Sequence, residues 1–423
     1  MPQSTQLPAA GRRQRLAGVA IYGVLALELV VIAVMLLRLP SLMDLDVYWL
    51  GGLAVLEGTP LYPDDLWGWS SQGFVYPPFA ALVFTPMVPI ETVLPLLWTL
   101  FSLAAAARVS WLLAQRSPAI LPSITLAQRA ALILIVLLAI EPSIETLRLG
   151  QISLLLLWCI VEDTLGPKRW YSGVLLGLAT AIKLYPVLFV VYLAIVRQTR
   201  AAVVAAATAV AATLLGFVVL WDASVQYWTE EIRGATELWN LEFVGNQSLL
   251  GVWTRTMGPP DEMPGWWFVV VVIVAVVGLL AAGWLYRRRE PVLAVGMVGL
   301  AGFLISPVSW NFHWVLIMPL LVGLANNWAI KLVRVPLVVA LVVFASRLIW
   351  RAPHAEPGSG LEYDHLWWQW LIGQCYVLTG LLLAVTAILA VRSPAHVGEP
   401  EPEDSQGPPT RQTPGSGRGR QVA

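Results

Sequence analysis

Two aspartates, Asp44 and Asp46, stand in the stretch DLDVYWLGG, just after an apolar run that ends near Arg38 and Pro40. Carboxylates at this spacing have three candidate roles. They can hold the metal ion of an enzyme that uses nucleotide sugars, one of them can act as a general base, or both can cap a helix and complement its dipole. Nucleotide sugars are made in the cytoplasm. The choice therefore depends on which side of a membrane the aspartates face.

Lys183 is a further candidate, because it lies in the middle of the apolar segment GVLLGLATAIKLYP. A lysine within a membrane segment costs roughly 3 kcal/mol unless it finds a partner or water, so a functional role is the first hypothesis for it. A lipid phosphate suits such a compact positive charge. An ordinary ion pair with an acidic side chain is the alternative.

Three further polar patches complete the set of candidate residues. They are Arg148, Gly150 and Gln151 in LRLGQ, Asn246, Gln247, Ser248 and Arg255 in NQSLLGVWTR, and Ser306, Ser309, Trp310, Asn311 and His313 in SPVSWNFH. Each residue alone has a structural interpretation, since an arginine can reach for the membrane surface, a glutamine can cap a helix and a histidine can make a buried hydrogen bond. Only their convergence on one side of the membrane favours a shared site.

The elements that must position these residues are membrane helices. Of the 423 residues, 58% are hydrophobic and only 12% are charged, and the mean hydropathy is +0.72. Apolar runs long enough to cross the hydrocarbon recur from Leu16 almost to Val391. We therefore predict an all-α polytopic membrane protein with about 11 to 13 transmembrane helices.

Positive charges predict the orientation of this bundle, because they accumulate in cytoplasmic loops. They cluster at Arg12 to Arg15, Lys168 and Arg169, Arg197 and Arg200, Arg287 to Arg289, Lys331 and Arg334, and at Arg392. The segments that then face outward are 39–78, 141–151, 222–247, 306–312 and 352–366. All candidate patches in these loops share the outer side. This excludes the nucleotide-sugar interpretation and favours a carboxylate that acts as a general base without a metal ion.

The chain divides into three parts. Residues 1–15 form a cytoplasmic N-terminal arm, and the apolar run behind it is too long for a cleaved signal peptide. Residues 16–391 form the transmembrane domain, in which 47–57 is predicted to be an amphipathic helix of the first outer loop, 39–78. Residues 392–423 are rich in Pro, Gly and charge and are predicted to be a disordered cytoplasmic tail.

Several other classes of function receive no support. The formal net charge is zero, so bulk charge indicates no nucleic-acid partner. Cys159 and Cys375 each lie within an apolar run, which indicates neither a disulfide framework nor a metal site. No internal repeat supports an inverted-repeat transporter.

In order along the chain, the motifs DLDVYW, EGTPLY, YPP, GQ, GVLLGLATAIKLYP, NQS with a later Arg, and SPVSW with a following His resemble glycosyltransferase family 87, the polyprenol-phosphate-mannose-dependent mannosyltransferases of actinobacteria. The resemblance runs from about residue 40 to about residue 325. Each motif is short, but their order and spacing together are specific. Many members carry two histidines after the SPxSW motif, whereas this chain has Phe312 followed by His313.

The resemblance implies a GT-C fold and an inverting transfer of mannose from a lipid-phosphate donor, with neither metal ion nor other cofactor. It implies that the general base is Asp44, four residues before Tyr48, with Asp46 as the second candidate. The remaining implied roles are donor-phosphate binding by Lys183, Arg255 and Arg148, and sugar or acceptor binding by Tyr48, Tyr76, Gln151, Asn246, Ser309, Trp310 and His313.

The implied partners are polyprenyl-phosphate-mannose, an outer-leaflet glycolipid or lipoglycan acceptor and the lipid bilayer, with the active site on the outer side of the plasma membrane. Two alternatives stay open. One is another GT-C transferase, which would use a different polyprenyl-phosphate sugar such as a pentose or would polymerise lipid-linked sugars. The other is a lipid or sugar transporter or flippase, which would also explain an intramembrane lysine and broken helices.

Overall fold

The structure is a computed structural model that describes residues 9–38, 42–62, 73–232, 241–258, 265–354 and 360–392. Within these ranges the secondary structure is helical, apart from one isolated bridge between Asn246 and Trp310. The α-helices are α1 (Ala9–Leu36), α2 (Met43–Glu57), α3 (Pro78–Phe84), α4 (Leu94–Gln115), α5 (Leu126–Ala139), α6 (Glu141–Leu149), α7 (Ser153–Leu165), α8 (Val174–Ile182), α9 (Val187–Ile195), α10 (Thr199–Val219), α11 (Trp221–Gln226), α12 (Leu249–Met257), α13 (Gly265–Arg287), α14 (Pro291–Ile305), α15 (Met318–Asn326), α16 (Lys331–Ala345), α17 (Trp367–Gly373) and α18 (Cys375–Arg392).

Five helices among the described residues are long and apolar enough to cross a membrane by themselves. They are Gly11–Leu36 of α1 together with α4, α10, α13 and α18, and the pair α5 and α6 passes the same test as one segment bent by 70°. The predicted all-α, multi-pass membrane architecture is thereby confirmed. Shorter apolar helices such as α14 are too short to be counted as membrane spans by length alone. The predicted number of spans therefore stays a prediction.

The centre of the bundle is formed by α14, whose residues from Val292 to Leu304 are buried without exception. It packs against α13, α15 and α9. Gly296 permits this density, because a Cβ atom there would lie 2.4 Å from the backbone nitrogen of Leu320. A helix that is apolar all round is suited to the interior of a membrane bundle. Helix α7 also contacts α14, and it packs against α4 and against α8, which in turn packs against α10.

Helix α2 differs from the predicted amphipathic helix at 47–57 in two respects. It begins at Met43, so both aspartates lie in its first turn and the N-cap residue is Leu42. Its buried residues are also spread around the axis instead of forming one stripe, because α3, α6 and the 3-10 helix Thr85–Ile90 all pack against it. The expectation of an amphipathic surface helix is therefore corrected to a helix embedded in the protein.

The segment around Lys183 forms a pair of short helices. Helix α8 ends at Ile182, Lys183 adopts an extended conformation (φ −147°, ψ 129°), and Pro186 caps the start of α9. Proline supports this break because it cannot donate the backbone hydrogen bond that a continuous helix would need. Gly173 allows the start of α8 to approach α10, since a Cβ atom there would lie 2.3 Å from the Ala201 carbonyl oxygen.

The two ends of the chain relate differently to the predicted parts. Helix α1 begins at Ala9, so the arginines of the N-terminal arm belong to the first helix. Helix α18 ends at Arg392, and residues 393–423 of the predicted tail lie outside the described residues. The boundaries of the three predicted parts stay a prediction.

Candidate active site

Asp44 lies in the first turn of α2, and only 8% of its surface is exposed. The Gln151 side chain hydrogen-bonds its carboxylate, while the buried Oδ2 atom has no hydrogen-bond partner among the residues that the structure describes. Burial raises the pKa of Asp44 to about 6, although the Gln151 hydrogen bond and the charges of Lys183 and Arg148 act to lower it. Asp44 is therefore a carboxylate that is more basic than an exposed aspartate and that keeps one oxygen without a partner within the described part of the chain.

Asp46 occupies the same helical turn but is only partly buried. Its negative charge lies close enough to Asp44 to raise the pKa of that carboxyl further. Neither aspartate caps the helix with its side chain, because the N-cap position belongs to Leu42. Both can still complement the positive end of the helix dipole.

A network of buried hydroxyl and amide groups holds Gln151 in place. Tyr48 is fully buried, and its hydroxyl donates to the Gln151 Oε1 atom at 2.9 Å. The same hydroxyl accepts a hydrogen bond from the Ile152 backbone N–H at 3.3 Å and lies 3.2 Å from the Tyr76 hydroxyl. Because Oε1 is engaged by Tyr48, the amide nitrogen of Gln151 is the group that remains for Asp44. Tyr48 thus positions Gln151, and its predicted contact with a sugar or acceptor stays a prediction.

The GQ motif owes its glycine to backbone geometry. Gly150 ends α6 in the left-handed region (φ 73°), which glycine adopts at no steric cost. A Cβ atom there would also lie 2.7 Å from the Leu45 Cβ atom of α2. The turn therefore brings Gln151 against the first turn of α2, next to Asp44.

Lys183 and His313, which are 130 residues apart in sequence, meet at this site. The Lys183 Nζ atom lies 2.8 Å from the His313 Nε2 atom, and it stands over the rings of Tyr76 at 5.2 Å and Phe312 at 5.8 Å. An ammonium group has three protons to donate. One of them is directed at the imidazole, so the charge is held by one neutral acceptor and two aromatic faces and remains available to an anion.

Arg148 borders this site but is already paired. Its guanidinium forms an ion pair with Glu145 at 2.6 Å, and the same carboxylate accepts a bond from Arg347 at 2.7 Å. Glu145 is almost completely buried, whereas 42% of the Arg148 side chain is exposed. Arg148 therefore contributes positive potential near Asp44, and its predicted contact with a phosphate stays a prediction.

Asn246, Ser309 and Trp310 form a separate, structural junction. The Asn246 Oδ1 atom accepts a bond from the Ser309 backbone N–H at 2.9 Å, and its Nδ2 atom donates to the carbonyls of Leu241 and Pro307. Asn246 is fully buried and pairs through its backbone with Trp310 in the isolated bridge. These residues hold the loop that precedes His313, and they can therefore influence the site by fixing the position of that histidine. Their predicted contacts with a sugar stay a prediction.

Arg255 lies in a second cluster and not beside Asp44. Its Nε and Nη2 atoms donate to the Gln374 Oε1 atom at 3.1 and 2.5 Å, and its Nη1 atom donates to the carbonyls of Glu242 and Phe243 at 3.1 and 2.9 Å. The residue is 3% exposed. All three guanidinium nitrogens are thus used to join the loop before α12 to the start of α18. A contact between Arg255 and a donor phosphate stays a prediction.

Glu141, a buried carboxylate at the bend between α5 and α6, is a residue that the sequence motifs did not indicate. It accepts hydrogen bonds from Asn311, Trp350 and Tyr376 at 2.6 to 2.7 Å. These donors hold the SPVSWNFH segment against the C-terminal helices. The sequence could have indicated Glu141, because an acidic residue next to an apolar run is as costly in a membrane as Lys183 is.

Among the residues that the structure describes, no group of three or more His, Cys, Asp or Glu side chains is arranged to hold a metal ion. Whether the reaction uses a metal ion is a separate matter, and the expected absence of one stays a prediction.

Comparison with known proteins identifies the family. Residues 74–307 match glycosyltransferase family 87. A "polyprenol-phosphate-mannose-dependent alpha-(1-2)-phosphatidylinositol mannoside mannosyltransferase" of Mycolicibacterium smegmatis is 31% identical over 410 residues, which cover 87% of this chain and 88% of the relative. A protein of the same name from Mycobacterium tuberculosis is 32% identical over 375 residues, covering 83% and 86%.

A further relative from Mycobacterium tuberculosis, named as a "phosphatidylinositol pentamannoside mannosyltransferase" with the same donor dependence, is 30% identical over 351 residues. It covers 76% of this chain and 78% of its own length. No solved structure matches the chain. The family match and the near full-length relatives agree with the motif resemblance and the helical membrane fold. The chain belongs to glycosyltransferase family 87.

Proposed function

We propose that this chain transfers mannose from polyprenyl-phosphate-mannose to a phosphatidylinositol mannoside or a similar glycolipid, with Asp44 as the general base. The names of the relatives support the donor and the acceptor class. The observation that carries the proposal is one arrangement: Asp44 presents a buried, unpartnered oxygen close to the ammonium of Lys183. A base and a cation are the two groups that a transfer from a lipid phosphate needs.

The proposed step conserves every atom. The acceptor hydroxyl oxygen forms a bond to the anomeric carbon of mannose, while the bond from that carbon to the phosphate oxygen breaks. Asp44 takes the hydroxyl proton, and the polyprenyl phosphate leaves with the bonding electron pair. Attack from the side opposite the leaving group inverts the anomeric carbon, so a β-linked donor gives an α-mannoside.

Each remaining residue of the cluster supports one of these two groups. Gln151, oriented by Tyr48, holds one side of the Asp44 carboxylate, so that the free Oδ2 atom is directed to the acceptor. Lys183 stabilises the charge that develops on the departing phosphate. His313 accepts a hydrogen bond from Lys183 and thereby restricts the position of the ammonium. We assign His313 to positioning and not to proton transfer with the sugar.

We propose further that the site faces outward across the plasma membrane, with residues 16–391 as the catalytic domain. The course of α8 supports this orientation. Its first residue follows the basic pair Lys168 and Arg169, which is typical of the cytoplasmic side, whereas Lys183 follows its last residue. Lys183 therefore lies toward the opposite side, where lipid-linked sugars and outer-leaflet acceptors are available.

The test is mannosyl transfer in membranes that lack the endogenous activity, using radiolabelled polyprenyl-phosphate-mannose and phosphatidylinositol mannosides. Wild type and Asp46→Asn should transfer label to the acceptor, whereas Asp44→Asn and Lys183→Ala at matched expression should not. The labelled product should be released by an α-mannosidase. Transfer of a pentose but not mannose by the wild type would overturn the donor assignment, and full activity of Asp44→Asn would overturn the base.

A further inference from the structure

A cavity of about 510 Å³ lies between α4, α7 and α8, away from the cluster around Asp44. Its walls are apolar or aromatic and are formed by Phe101, Ala104, Ala105, Trp158, Val174 and Leu175. This volume falls within the range of about 300 to 1,000 Å³ that is usual for small-molecule sites. The walls suit a hydrocarbon chain, because they offer it no unsatisfied polar group.

One end of the cavity is polar. Arg108 and Glu162 form a bidentate ion pair there, with N–O distances of 2.7 and 2.8 Å, so their charges cancel. Arg169 also lines this end, is exposed, and lies over the Tyr171 ring at 5.6 Å. Because the Arg108–Glu162 pair is neutral, Arg169 leaves this rim with a positive excess. The cavity is therefore amphipathic, with a basic mouth and an apolar interior.

The mouth lies at the end of the bundle opposite the candidate active site. Val174 and Leu175 in the first turn of α8 line the cavity, whereas Lys183 follows the last turn of that helix, roughly 13 Å further along its axis. The exposed Trp170 beside the mouth is typical of the membrane interface. The mouth thus lies at the level of lipid head groups in the leaflet away from Asp44.

We propose that this cavity binds an anionic phospholipid of that leaflet, with one acyl chain between α4, α7 and α8 and the phosphate head group at Arg169. Charge complementarity selects this occupant, because a zwitterionic lipid has no net attraction to a basic mouth. Basic pockets between membrane helices on the cytoplasmic side bind anionic head groups in this manner. The site is separate from the sugar chemistry; its assignment to the cytoplasmic leaflet rests on the orientation given under the proposed function, whereas the binding of an anionic lipid does not.

The experiment uses the purified full chain in vesicles of phosphatidylcholine that contain a small fraction of phosphatidylglycerol with a photoactivatable acyl chain. Cross-linked peptides are mapped by mass spectrometry. In the wild type, the cross-links should concentrate on the peptides of α4, α7 and α8 that line the cavity. Ala104→Trp should abolish most of this labelling, because an exposed alanine that lines the cavity is replaced by a side chain that fills it.

Matched variants separate this site from general membrane contact. Ala107→Trp places the same side chain on an exposed position of α4 outside the cavity lining and should leave labelling unchanged. Arg169→Gln should reduce labelling about fivefold, the factor that one basic residue contributes at an anionic lipid surface. Arg334→Gln should not reduce it, although Arg334 lies over Trp328 much as Arg169 lies over Tyr171.

Three outcomes would overturn the proposal. They are equal labelling by a phosphatidylcholine probe, equal loss in Ala104→Trp and Ala107→Trp, and displacement of the probe by polyprenyl phosphate but not by unlabelled phosphatidylglycerol. The last result would assign the cavity to the polyprenyl lipid instead. Because the variants lie on exposed positions, a monodisperse elution profile and an unchanged melting temperature provide the folding control.

Discussion

The sequence motifs predict donor-phosphate binding for both Lys183 and Arg255, yet the two cations differ in how many of their hydrogen-bond donors the protein uses. Among the described residues, the Lys183 ammonium has one hydrogen-bonding neighbour, His313, and lies over the rings of Tyr76 and Phe312. The Arg255 guanidinium donates to Gln374 and to two backbone carbonyls with all three of its nitrogens. The first arrangement leaves protons for a ligand. The second uses them to hold the protein together.

The same contrast applies to the two buried carboxylates of these regions. In the part of the chain that the structure describes, Asp44 keeps an oxygen without a partner, whereas Glu141 accepts three hydrogen bonds from neutral donors. A buried polar group without a partner is costly, so a fold retains it only where something else is gained. We infer that the region around Asp44 and Lys183 performs the reaction and that the region around Arg255 and Glu141 supports it.

The largest expected effect is that of Asp44→Asn, which removes the proposed base but keeps the volume of the side chain. We expect kcat/KM for mannosyl transfer to fall about 1,000-fold, as is typical for the loss of a general base. Thermal stability should not decrease, because the variant no longer buries a charge. A parallel loss of activity and melting temperature would instead place Asp44 among the supporting residues.

The next effect compares the two cations directly. Lys183→Met should lower kcat/KM about 100-fold and raise the KM for the lipid-phosphate donor. The substitution removes the positive charge that stabilises the departing phosphate. Arg255→Met should instead cost about 3 kcal/mol of unfolding free energy, because Gln374 and two carbonyls lose their donor. The folded fraction of that variant should keep its donor KM. If the two variants exchange these phenotypes, the assignment of the two regions is wrong.

A smaller effect is expected for Tyr48→Phe. The substitution removes the hydroxyl that fixes the Gln151 amide but keeps the ring that stacks on Phe84 at 4.6 Å. We expect kcat to fall about tenfold, which corresponds to one buried hydrogen bond, with little change in the donor KM. Phe84→Leu is the control for a merely structural effect of the ring stack. It should lower the melting temperature and leave kcat nearly unchanged.

The pH dependence refines the same comparison. The folded-state pKa of Asp44 is raised to about 6, from 3.8 for an ordinary aspartate, and the proposed general base requires the deprotonated carboxylate. Activity should therefore fall as the pH decreases through about 6, reaching about one tenth of the plateau at pH 5. Asp46→Asn should move this limb to lower pH, because the charge of Asp46 raises the pKa of Asp44. If the acidic side of the activity profile is unchanged in Asp46→Asn, the titration belongs to another group.

Much of the site could be predicted from the sequence because membranes limit what polar residues can do. Lys183 and the DLDVYW and GQ motifs stood out against apolar surroundings, and the structure brings Asp44, Gln151 and Lys183 together. The break after Ile182 could be predicted as well, since Pro186 prevents a continuous helix. The burial of α2 on several faces could not be predicted, because it comes from packing against α3 and α6, which are separated from α2 in sequence.

The sequence by itself determined that this chain is a helical membrane protein with an unusual lysine and an aspartate pair, because composition and apolar run length decide between water and lipid. Only the tertiary structure decided which charged residues keep free hydrogen-bonding capacity. Lys183 meets His313 across 130 residues and Arg255 meets Gln374 across 119. Local sequence carries no information about such partners, and the partners distinguish a ligand-binding cation from a structural one.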